Sequence, residues 1–283
     1  MNALPTTEFT SGGPGVTRIG LGGEGVLRTA GRSPEAQVVI CEALRLGISY
    51  FDTAPAYAGS QAYLGSVWAE RPEARRSVFH TSKSANRSYS GAMRDLQDSL
   101  QTLRSEKLEL WQIHDVRTME DVRRIDAQDG ALRAFVRARE QGVVGRIGVT
   151  GHHDPQVLLT CVRSWPLDSV LLPVNPAEVV LGGFTDTVLS EARARGMAVI
   201  GMKCLGGGHY VQPRAGASPE RLIRYGLDSG VDLIVVGCSS SKEVRVLASA
   251  AHRGPLSDGE RGELERAFAP VAGRLAFYRG AAP

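Results

Sequence analysis

Short hydrophobic runs recur along the chain at a regular interval. Each run is rich in Val and Ile and is followed by a polar loop and then by a segment with helical spacing. The runs begin at Thr17, Ile48, Ser77, Leu108, Arg146, Ser169, Ala198 and Asp232. They lie about 31 residues apart, which is the length of one strand, one helix and two loops. The pattern therefore predicts eight strand–helix units.

The segments between the runs have the pattern of amphipathic helices. Within residues 88–104, apolar side chains recur at spacings of three and four, as on one helix face. These side chains are Met93, Leu96, Leu100 and Leu103. Gly142 and Gly196 follow two other such segments, where glycine is typical of a left-handed helix stop. The charged segment 115–130 lacks this pattern and is interpreted as a solvated loop.

Strands that alternate with helices favour parallel pairing with right-handed crossovers. Eight such units within 283 residues predict one closed (β/α)8 barrel, a TIM barrel, with a single domain spanning residues 1–283. A doubly wound open sheet is the alternative. The near-equal units and the lack of a G-x-G-x-x-G turn between strand and helix count against it. In a barrel, chemistry lies at the C-terminal ends of the strands.

Composition and charge exclude several classes of partner. The 33 basic and 30 acidic residues give a net charge of +3, and the basic residues are spread along the chain. This pattern predicts no nucleic-acid partner. No stretch of about 18 apolar residues occurs, which predicts no membrane span. The sequence has no signal for an oligomeric state.

The cysteines and histidines indicate neither disulfides nor a metal site. Four cysteines are far apart and form no C-x-x-C pair, which is typical of buried thiols in a reducing compartment, so we expect a cytoplasmic protein. The adjacent residues His152 and His153 would point to opposite faces of a strand, without a third ligand at suitable spacing. We therefore expect no metal.

Four titratable residues lie at or near the ends of three neighbouring predicted strands. They are Asp52, Tyr57, Lys83 and His114. Taken singly, each has an ordinary structural explanation as a loop cap, a surface aromatic, a surface lysine or a rim histidine. Because adjacent strands would bring all four to one mouth of the barrel, together they predict a catalytic group.

The segments FDTAPAYAGSQAYLG, HTSK and LELWQIHD resemble the aldo-keto reductase superfamily, whose tetrad is Asp, Tyr, Lys and His in this order. The segments IGLGGEG, GRIGVTG and VVGCSSSKEV extend the resemblance over nearly the whole chain. The resemblance implies an NADP(H)-dependent reductase that converts a small-molecule aldehyde or ketone to an alcohol, with NAD(H) as the alternative cofactor.

The chemistry of carbonyl reduction accounts for these residue types. An alkoxide formed by hydride addition needs a proton, and Tyr57 is the predicted general acid. We expect Lys83 to lower the pKa of this phenol and Asp52 to keep Lys83 oriented and charged. His114 is predicted to donate a hydrogen bond that orients the carbonyl.

The resemblance also implies cofactor contacts in the first, second and last four units. These residues are Gly22, Gly23, Asp52, Thr150, Asn175, Met202, Lys203, Leu205, Gly207, Gly237, Ser239, Ser240, Ser241 and Glu243. The chain departs from the family at some of these positions. Met202 or Lys203 stands where an aromatic residue often stacks on the nicotinamide, Leu171 replaces a common Gln, and Glu243 replaces the usual Arg near the 2′-phosphate.

Two other functions remain open from the sequence. A cofactor-binding redox sensor or auxiliary protein with slow turnover would fit the altered nicotinamide contacts. An aldolase would use Lys83 as a Schiff-base nucleophile, which is disfavoured because a neighbouring carboxylate and phenol favour the charged amine. The short tail after Ala267 is interpreted as leaving the substrate pocket open.

Overall fold

Eight parallel strands form a closed barrel in the computed structural model, which describes residues 3–212 and 216–280. A separate antiparallel hairpin, β1 (Thr6–Glu8) and β2 (Gly15–Thr17), precedes it. The barrel strands are β3 (Ile19–Gly25), β4 (Tyr50–Asp52), β5 (Phe79–Ser84), β6 (Leu110–Ile113), β7 (Ile147–Thr150), β8 (Ser169–Pro173), β9 (Ala198–Met202) and β10 (Leu233–Cys238). They pair in chain order, and β10 closes on β3.

Helices surround the barrel and connect its strands. They are α1 (Ser33–Arg45), α2 (Ser60–Glu70), α3 (Pro72–Ser77), α4 (Tyr89–Thr102), α5 (Met119–Asp126), α6 (Ala131–Glu140), α7 (Pro155–Ser164), α8 (Pro176–Leu181), α9 (Leu189–Ala194), α10 (Pro219–Leu227), α11 (Ser241–His252), α12 (Asp258–Phe268) and α13 (Ala272–Leu275). Short 3₁₀ turns lie at Val26–Arg28, Gly206–Gly208 and Ala269–Val271, and a π turn at Phe184–Val188.

The prediction of a single-domain (β/α)8 barrel is confirmed. Each of the eight hydrophobic runs overlaps a barrel strand. Residues 88–104 contain α4, whose Leu96 is buried. Gly142 and Gly196 follow α6 and α9 with φ of 72° and 69°, in the left-handed region that ends a helix at glycine. The predicted extent of the domain, 1–283, includes residues that lie outside the described ranges.

The interpretation of residues 115–130 as a loop is wrong, because they contain α5. Thr118 caps this helix by accepting a hydrogen bond from the backbone of Asp121, and the Asp121 side chain reaches back to the cap. Val122 and Ile125 are buried on its inner face. α5 is highly charged, but its apolar residues Met119, Val122 and Ile125 recur every third position. This spacing and the capping box were the signals available in the sequence.

The N-terminal hairpin closes the end of the barrel opposite the strand C-termini. Phe9, in the hairpin loop, lies with its ring centroid 4.5 Å from that of Phe79 and 6.1 Å from that of Tyr50. All three rings are buried in the barrel interior. Aromatic packing therefore fills the lower barrel and leaves the upper mouth, at the strand C-termini, for polar groups.

A second hydrophobic cluster forms outside the barrel, where α12 and α13 pack near α8 and α10. It includes Tyr210, Tyr225, Phe268, Leu275 and Tyr278, all buried. This packing carries residues 276–280 across the β7–β9 side of the mouth. The expectation of a pocket left open by a short tail is therefore wrong on that side, although residues 281–283 of the tail lie outside the described part of the chain.

Candidate active site

The four predicted catalytic residues meet at the mouth of the barrel. Asp52 is the last residue of β4, and Lys83 lies near the end of β5, the neighbouring strand. The Lys83 Nζ atom donates to both carboxylate oxygens of Asp52 at 2.7 Å and to the carbonyl of Thr53 at 2.9 Å. Thr81 donates a further hydrogen bond to Asp52 at 3.0 Å. The three N–H groups of Lys83 are thus used by Asp52 and Thr53.

This ion pair is removed from water. Lys83 is fully buried, and Asp52 is 4% exposed. Burial lowers the pKa of Lys83, and the charge and hydrogen bonds of Asp52 oppose that shift. A buried ammonium needs such a partner because an isolated charge in a low-dielectric interior is very unfavourable.

Tyr57 lies in the loop after β4, between Lys83 and His114. The Lys83 Nζ atom is 4.9 Å from the centroid of the Tyr57 ring. The His114 ring, directly after β6, meets the Tyr57 ring edge to face with centroids 5.7 Å apart. Gly23 of β3 makes room for the phenol, because a Cβ atom there would lie 2.7 Å from Cδ2 of Tyr57. Gly23 therefore has a packing role in seating this phenol.

The expectation that Lys83 lowers the pKa of Tyr57 is wrong in this geometry. The pKa of Tyr57 is raised well above its ordinary value, chiefly by burial and then by the negative charges of Asp52 and Glu24. Lys83 bonds to Asp52, whose negative charge acts on Tyr57 together with burial, so the net shift of the phenol pKa is upward. The phenol is consequently held in its protonated form at neutral pH.

His114 is neutral at physiological pH. Burial and the nearby charge of Lys83 lower the pKa of His114 to about 3. A neutral imidazole carries one N–H, so it can donate a hydrogen bond without adding a further positive charge to the mouth. Arg87 fixes the adjacent backbone by donating to the carbonyls of His114 and Asp115, both at 2.8 Å.

Other charged residues at the mouth were not predicted from the sequence. The Arg28 guanidinium lies 5.4 Å from the centroid of the Tyr57 ring and pairs with Glu24 at 2.7 Å. Asp115, next to His114, contacts Nε2 of His152 at 3.1 Å. The spacing of Glu24 and Arg28 by four residues was a signal for their pairing, but nothing in the sequence connected them to Tyr57.

Gly22 and Gly237, two of the predicted cofactor residues, are paired on β3 and β10. A Cβ atom on Gly22 would lie 3.0 Å from the backbone nitrogen of Gly237. A Cβ atom on Gly237 would lie 2.6 Å from that of Glu24. Close strand packing alone therefore requires glycine at both positions.

Thr150 and Asn175 make hydrogen bonds within the protein. Thr150 accepts a hydrogen bond from the backbone N–H of Asp115 at 2.9 Å. Asn175 caps α8 through its Oδ1 atom, and its Nδ2 donates to the hydroxyl of Tyr278 at 2.8 Å. Both side chains are buried. The structure thus places Asn175 as an anchor for the C-terminal segment.

The loop after β9 carries the next predicted cofactor residues. Met202 ends β9 half-buried, and Lys203 follows with a φ of 59°, which is uncommon for a residue other than glycine. Leu205 packs between the two hydrophobic clusters. Gly207 has a φ of 64° within the turn Gly206–Gly208, so the loop needs glycine there.

The N-terminus of α11 carries a carboxylate of its own. Ser240 caps the helix by accepting from the N–H of Glu243, and the N–H of Ser239 donates to the Glu243 carboxylate at 2.7 Å. Ser241 begins the helix. Arg245 pairs with Glu42 of α1 at 2.8 Å. The serines and backbone N–H groups of the predicted phosphate site lie at the start of α11. The Glu243 carboxylate lies at the same helix end.

These groups fit a nicotinamide dinucleotide. The glycine-containing loop after β9 would let a dinucleotide approach its backbone closely. The start of α11, flanked by serines, offers N–H donors and a favourable helix dipole to a phosphate. Lys203 adds a positive charge beside that loop. In residues 3–212 and 216–280, no group of three or more His, Cys, Asp or Glu side chains is arranged to hold a metal ion. No helix in the same ranges is both long and apolar enough to span a membrane.

Comparison with known proteins identifies the class to which this barrel belongs. The sequence profile of the aldo/keto reductase family matches residues 18–221. The holo form of aldo-keto reductase AKR11C1 from Bacillus halodurans has a similar fold, with a TM-score of 0.77 and 18% identity over 93% of this chain and 96% of that one. An aldo/keto reductase from Brucella melitensis superposes with a TM-score of 0.74 and 18% identity, over 94% and 99% of the two chains.

A curated relative covers a smaller part of the chain. Methylglyoxal reductase DkgA from Yersinia pestis is 29% identical over 123 residues, which are 44% of this chain and 42% of that protein. The match therefore spans less than half the length of either protein.

The chain belongs to the aldo/keto reductase family. The members of this family generally use nicotinamide cofactors.

Proposed function

We propose that this protein reduces a small aldehyde or ketone to an alcohol with a nicotinamide dinucleotide, and that residues 1–283 form one domain with this activity. The observation that carries the proposal is the buried Lys83–Asp52 pair placed beside the Tyr57 ring and His114. A protonated phenol and a neutral imidazole, side by side at the barrel mouth, are the two donors that a developing alkoxide needs.

The bound nicotinamide would supply the hydride. His114 donates a hydrogen bond to the carbonyl oxygen and so orients the carbonyl. Tyr57 holds a proton near the same oxygen and delivers it as negative charge develops there. Lys83 keeps a positive charge near the phenol ring, which limits the unfavourable charge when Tyr57 gives up its proton, and Asp52 and Thr53 fix the Lys83 position.

Two observations bear on the alternative functions. Schiff-base chemistry requires a neutral Lys83, whereas its N–H groups bond to a carboxylate and a carbonyl, which favours the ammonium form. A cofactor-binding protein with slow turnover is the second candidate. It is favoured by the internal hydrogen bonds of Thr150 and Asn175, which leave these side chains less free for a cofactor.

Reduction of simple aldehydes by the purified chain tests the proposal. We expect oxidation of NADH or NADPH in the presence of methylglyoxal or benzaldehyde. The loss of absorbance of the reduced nicotinamide measures this oxidation. We also expect kcat to stay constant between about pH 7 and 9, because the pKa of Tyr57 is raised and the phenol remains protonated there. Tight dinucleotide binding without turnover across a carbonyl panel would instead favour the slow binding protein.

We propose further that the charges at the start of α11 favour NAD(H) over NADP(H). The resemblance implies a loose correspondence of Lys242, Glu243 and Arg245 to the residues around the 2′-phosphate. Glu243 is negative there, and Arg245 is already paired with Glu42. We expect Glu243→Gln to tighten NADPH binding about fivefold, as removal of one repulsive charge would. NADH affinity should stay within about twofold of wild type.

Protein fluorescence titrations with both dinucleotides measure this preference. Glu106→Gln, at an exposed position that makes no ion pair among the described residues, removes the same charge elsewhere and serves as the control. Equal gains in NADPH affinity in the two variants would show a general charge effect and contradict a local role of Glu243.

A further inference from the structure

The adjacent residues His152 and His153, in the loop after β7, hold the C-terminal segment, residues 276–280, against the barrel. The Nδ1 atom of His152 lies 3.2 Å from the carbonyl oxygen of Tyr278, and the two rings meet edge to face with centroids 5.9 Å apart. The backbone N–H of Gly280 donates to the carbonyl of His153 at 3.0 Å. A Cβ atom on Gly280 would lie 2.6 Å from Nδ1 of His153, so this ring packs directly on the glycine.

The other ring nitrogen of His152 contacts the loop that carries His114. Its Nε2 atom lies 3.1 Å from Oδ1 of Asp115, the residue directly after His114. Asp115 has a φ of 56°, in the left-handed region that is uncommon for a residue other than glycine. Its N–H donates to Thr150 at 2.9 Å, and its carbonyl accepts from Arg87 at 2.8 Å. These bonds fix Asp115 beside the imidazole of His114, and His152 links it to the C-terminal segment.

Both ring nitrogens of His152 therefore face hydrogen-bond acceptors. A backbone carbonyl and an ionised carboxylate have no proton to donate, so each needs an N–H from the ring. A neutral imidazole has one N–H and can donate to only one of them, whereas an imidazolium can donate to both. The arrangement with both contacts is consequently that of a His152 ring with two N–H groups.

We propose that His152 is a positioning residue that, with a proton on each ring nitrogen, joins the C-terminal segment to Asp115 and fixes the wall beside His114. This inference rests on the proposed function, in which His114 orients the carbonyl. When His152 loses a proton, one of its two hydrogen bonds is lost. The segment keeps its second anchor, at Asn175 and Glu178, so the wall loosens without leaving the barrel.

His152 exchanges its proton below neutral pH. Burial and then the charge of Lys203 lower the pKa of His152 from its ordinary value of 6.5, and Asp115 and the Tyr278 carbonyl oppose that shift. The charged and titratable groups that face the ring come from three elements. They are His114, Asp115 and Arg117 after β6, Lys203 after β9, and Tyr278 in the C-terminal segment.

The nearest of these groups titrate outside the range of His152. Burial and the charge of Lys83 lower the pKa of His114 to about 3. Against the effect of burial, the hydrogen bond from Arg117 lowers the pKa of Asp115, and burial raises that of Tyr278. Raising the pH through the range below about 6.5 therefore removes a proton from His152 and loosens the segment.

Nitrogen NMR of protein labelled with ¹⁵N-histidine tests the two protons directly. The signals of His152 are those that disappear in His152→Gln. Between about pH 4.5 and 7.5, we expect both ring nitrogens to carry protons at the acid end and one of them to lose its proton as the pH rises. A ring with one proton over the whole range would overturn the proposal.

Hydrogen exchange of residues 276–280, followed by mass spectrometry, tests the link to the segment without turnover. We expect the protection of these amides, corrected for the intrinsic effect of pH, to fall about threefold as His152 loses its proton. His152→Gln should lack this transition. His153→Gln keeps the His152 ring and the backbone bond to Gly280, so as the matched control it should retain the transition. Equal, pH-independent protection in wild type and His152→Gln would show that His152 does not hold the segment.

Steady-state kinetics connect the segment to the site. We expect KM for benzaldehyde to rise about threefold over the same titration, with kcat changed less than twofold, and His152→Gln to abolish this pH dependence. Asp115→Asn removes the negative partner of His152, so the transition should move to lower pH. A pH dependence of KM that persists in His152→Gln, or a transition that does not move in Asp115→Asn, would contradict the proposal. If wild type binds NADH but turns over no aldehyde, the proposed function fails, and the NMR and exchange measurements still decide the role of His152.

Discussion

Replacing Tyr57 with phenylalanine is expected to lower kcat for aldehyde reduction by a factor of about 10² to 10⁴, the usual contribution of a general acid. The phenyl ring keeps the contacts of Tyr57 with His114 and Gly23, so the site keeps its shape. Only the proton donor is lost. The measurement is a steady-state assay of cofactor oxidation in both proteins at the same pH.

The affinity for dinucleotide separates chemistry from binding in this experiment. We expect the Tyr57→Phe protein to bind NADH as tightly as wild type, because the hydroxyl is proposed to act on the carbonyl oxygen. Tyr89→Phe, in which an exposed tyrosine of α4 loses its hydroxyl, should retain full activity. Wild-type turnover in the Tyr57 variant would remove this residue from the role of general acid.

Replacing Lys83 with methionine is expected to abolish reduction and to lower the free energy of unfolding by about 3–5 kcal/mol, the cost of leaving one partner of a buried ion pair alone. Among the described residues, the Asp52 carboxylate would keep only Thr81 as a side-chain donor in its buried position. Urea denaturation at pH 7 measures the loss, which is a large fraction of the stability of an ordinary domain.

The double variant Asp52→Asn, Lys83→Met tells stability apart from catalysis. It removes both charges together, so much of the lost free energy of unfolding should return. Activity should stay low, because no positive charge remains beside the Tyr57 ring. If the double variant recovered activity together with stability, Lys83 would have a purely structural role at the mouth.

The barrel was predictable because its units repeat. Buried parallel strands have apolar runs in their sequence, and each run is followed by a helical segment. The starts of the units near Ile48 and Ser169 could therefore be recognised from the sequence alone. Weakly apolar elements had no such signal. α5 depends on the cap between Thr118 and Asp121, and the hairpin before the barrel depends on Phe9 packing into an interior that forms only on folding.

The candidate site was predictable in its residues and less so in its electrostatics. Asp52, Lys83 and His114 could be placed at one mouth because they end or follow adjacent parallel strands. The direction of the pKa shift of Tyr57 could not be predicted from the order of the strands. It depends on burial and on whether Lys83 gives its charge to Asp52 or to the phenol, which is set by distances of a few ångströms.

The sequence by itself determined the eight-unit barrel, the order of the four predicted catalytic residues along it and the family resemblance, because these depend on period and spacing within the chain. The tertiary structure alone decided that Tyr278 lies under Lys203 and that Asn175 anchors it. Residues about 75 to 100 positions apart meet there through the packing of α12 and α13 on α8 and α10, and contacts of such sequence separation leave no local pattern.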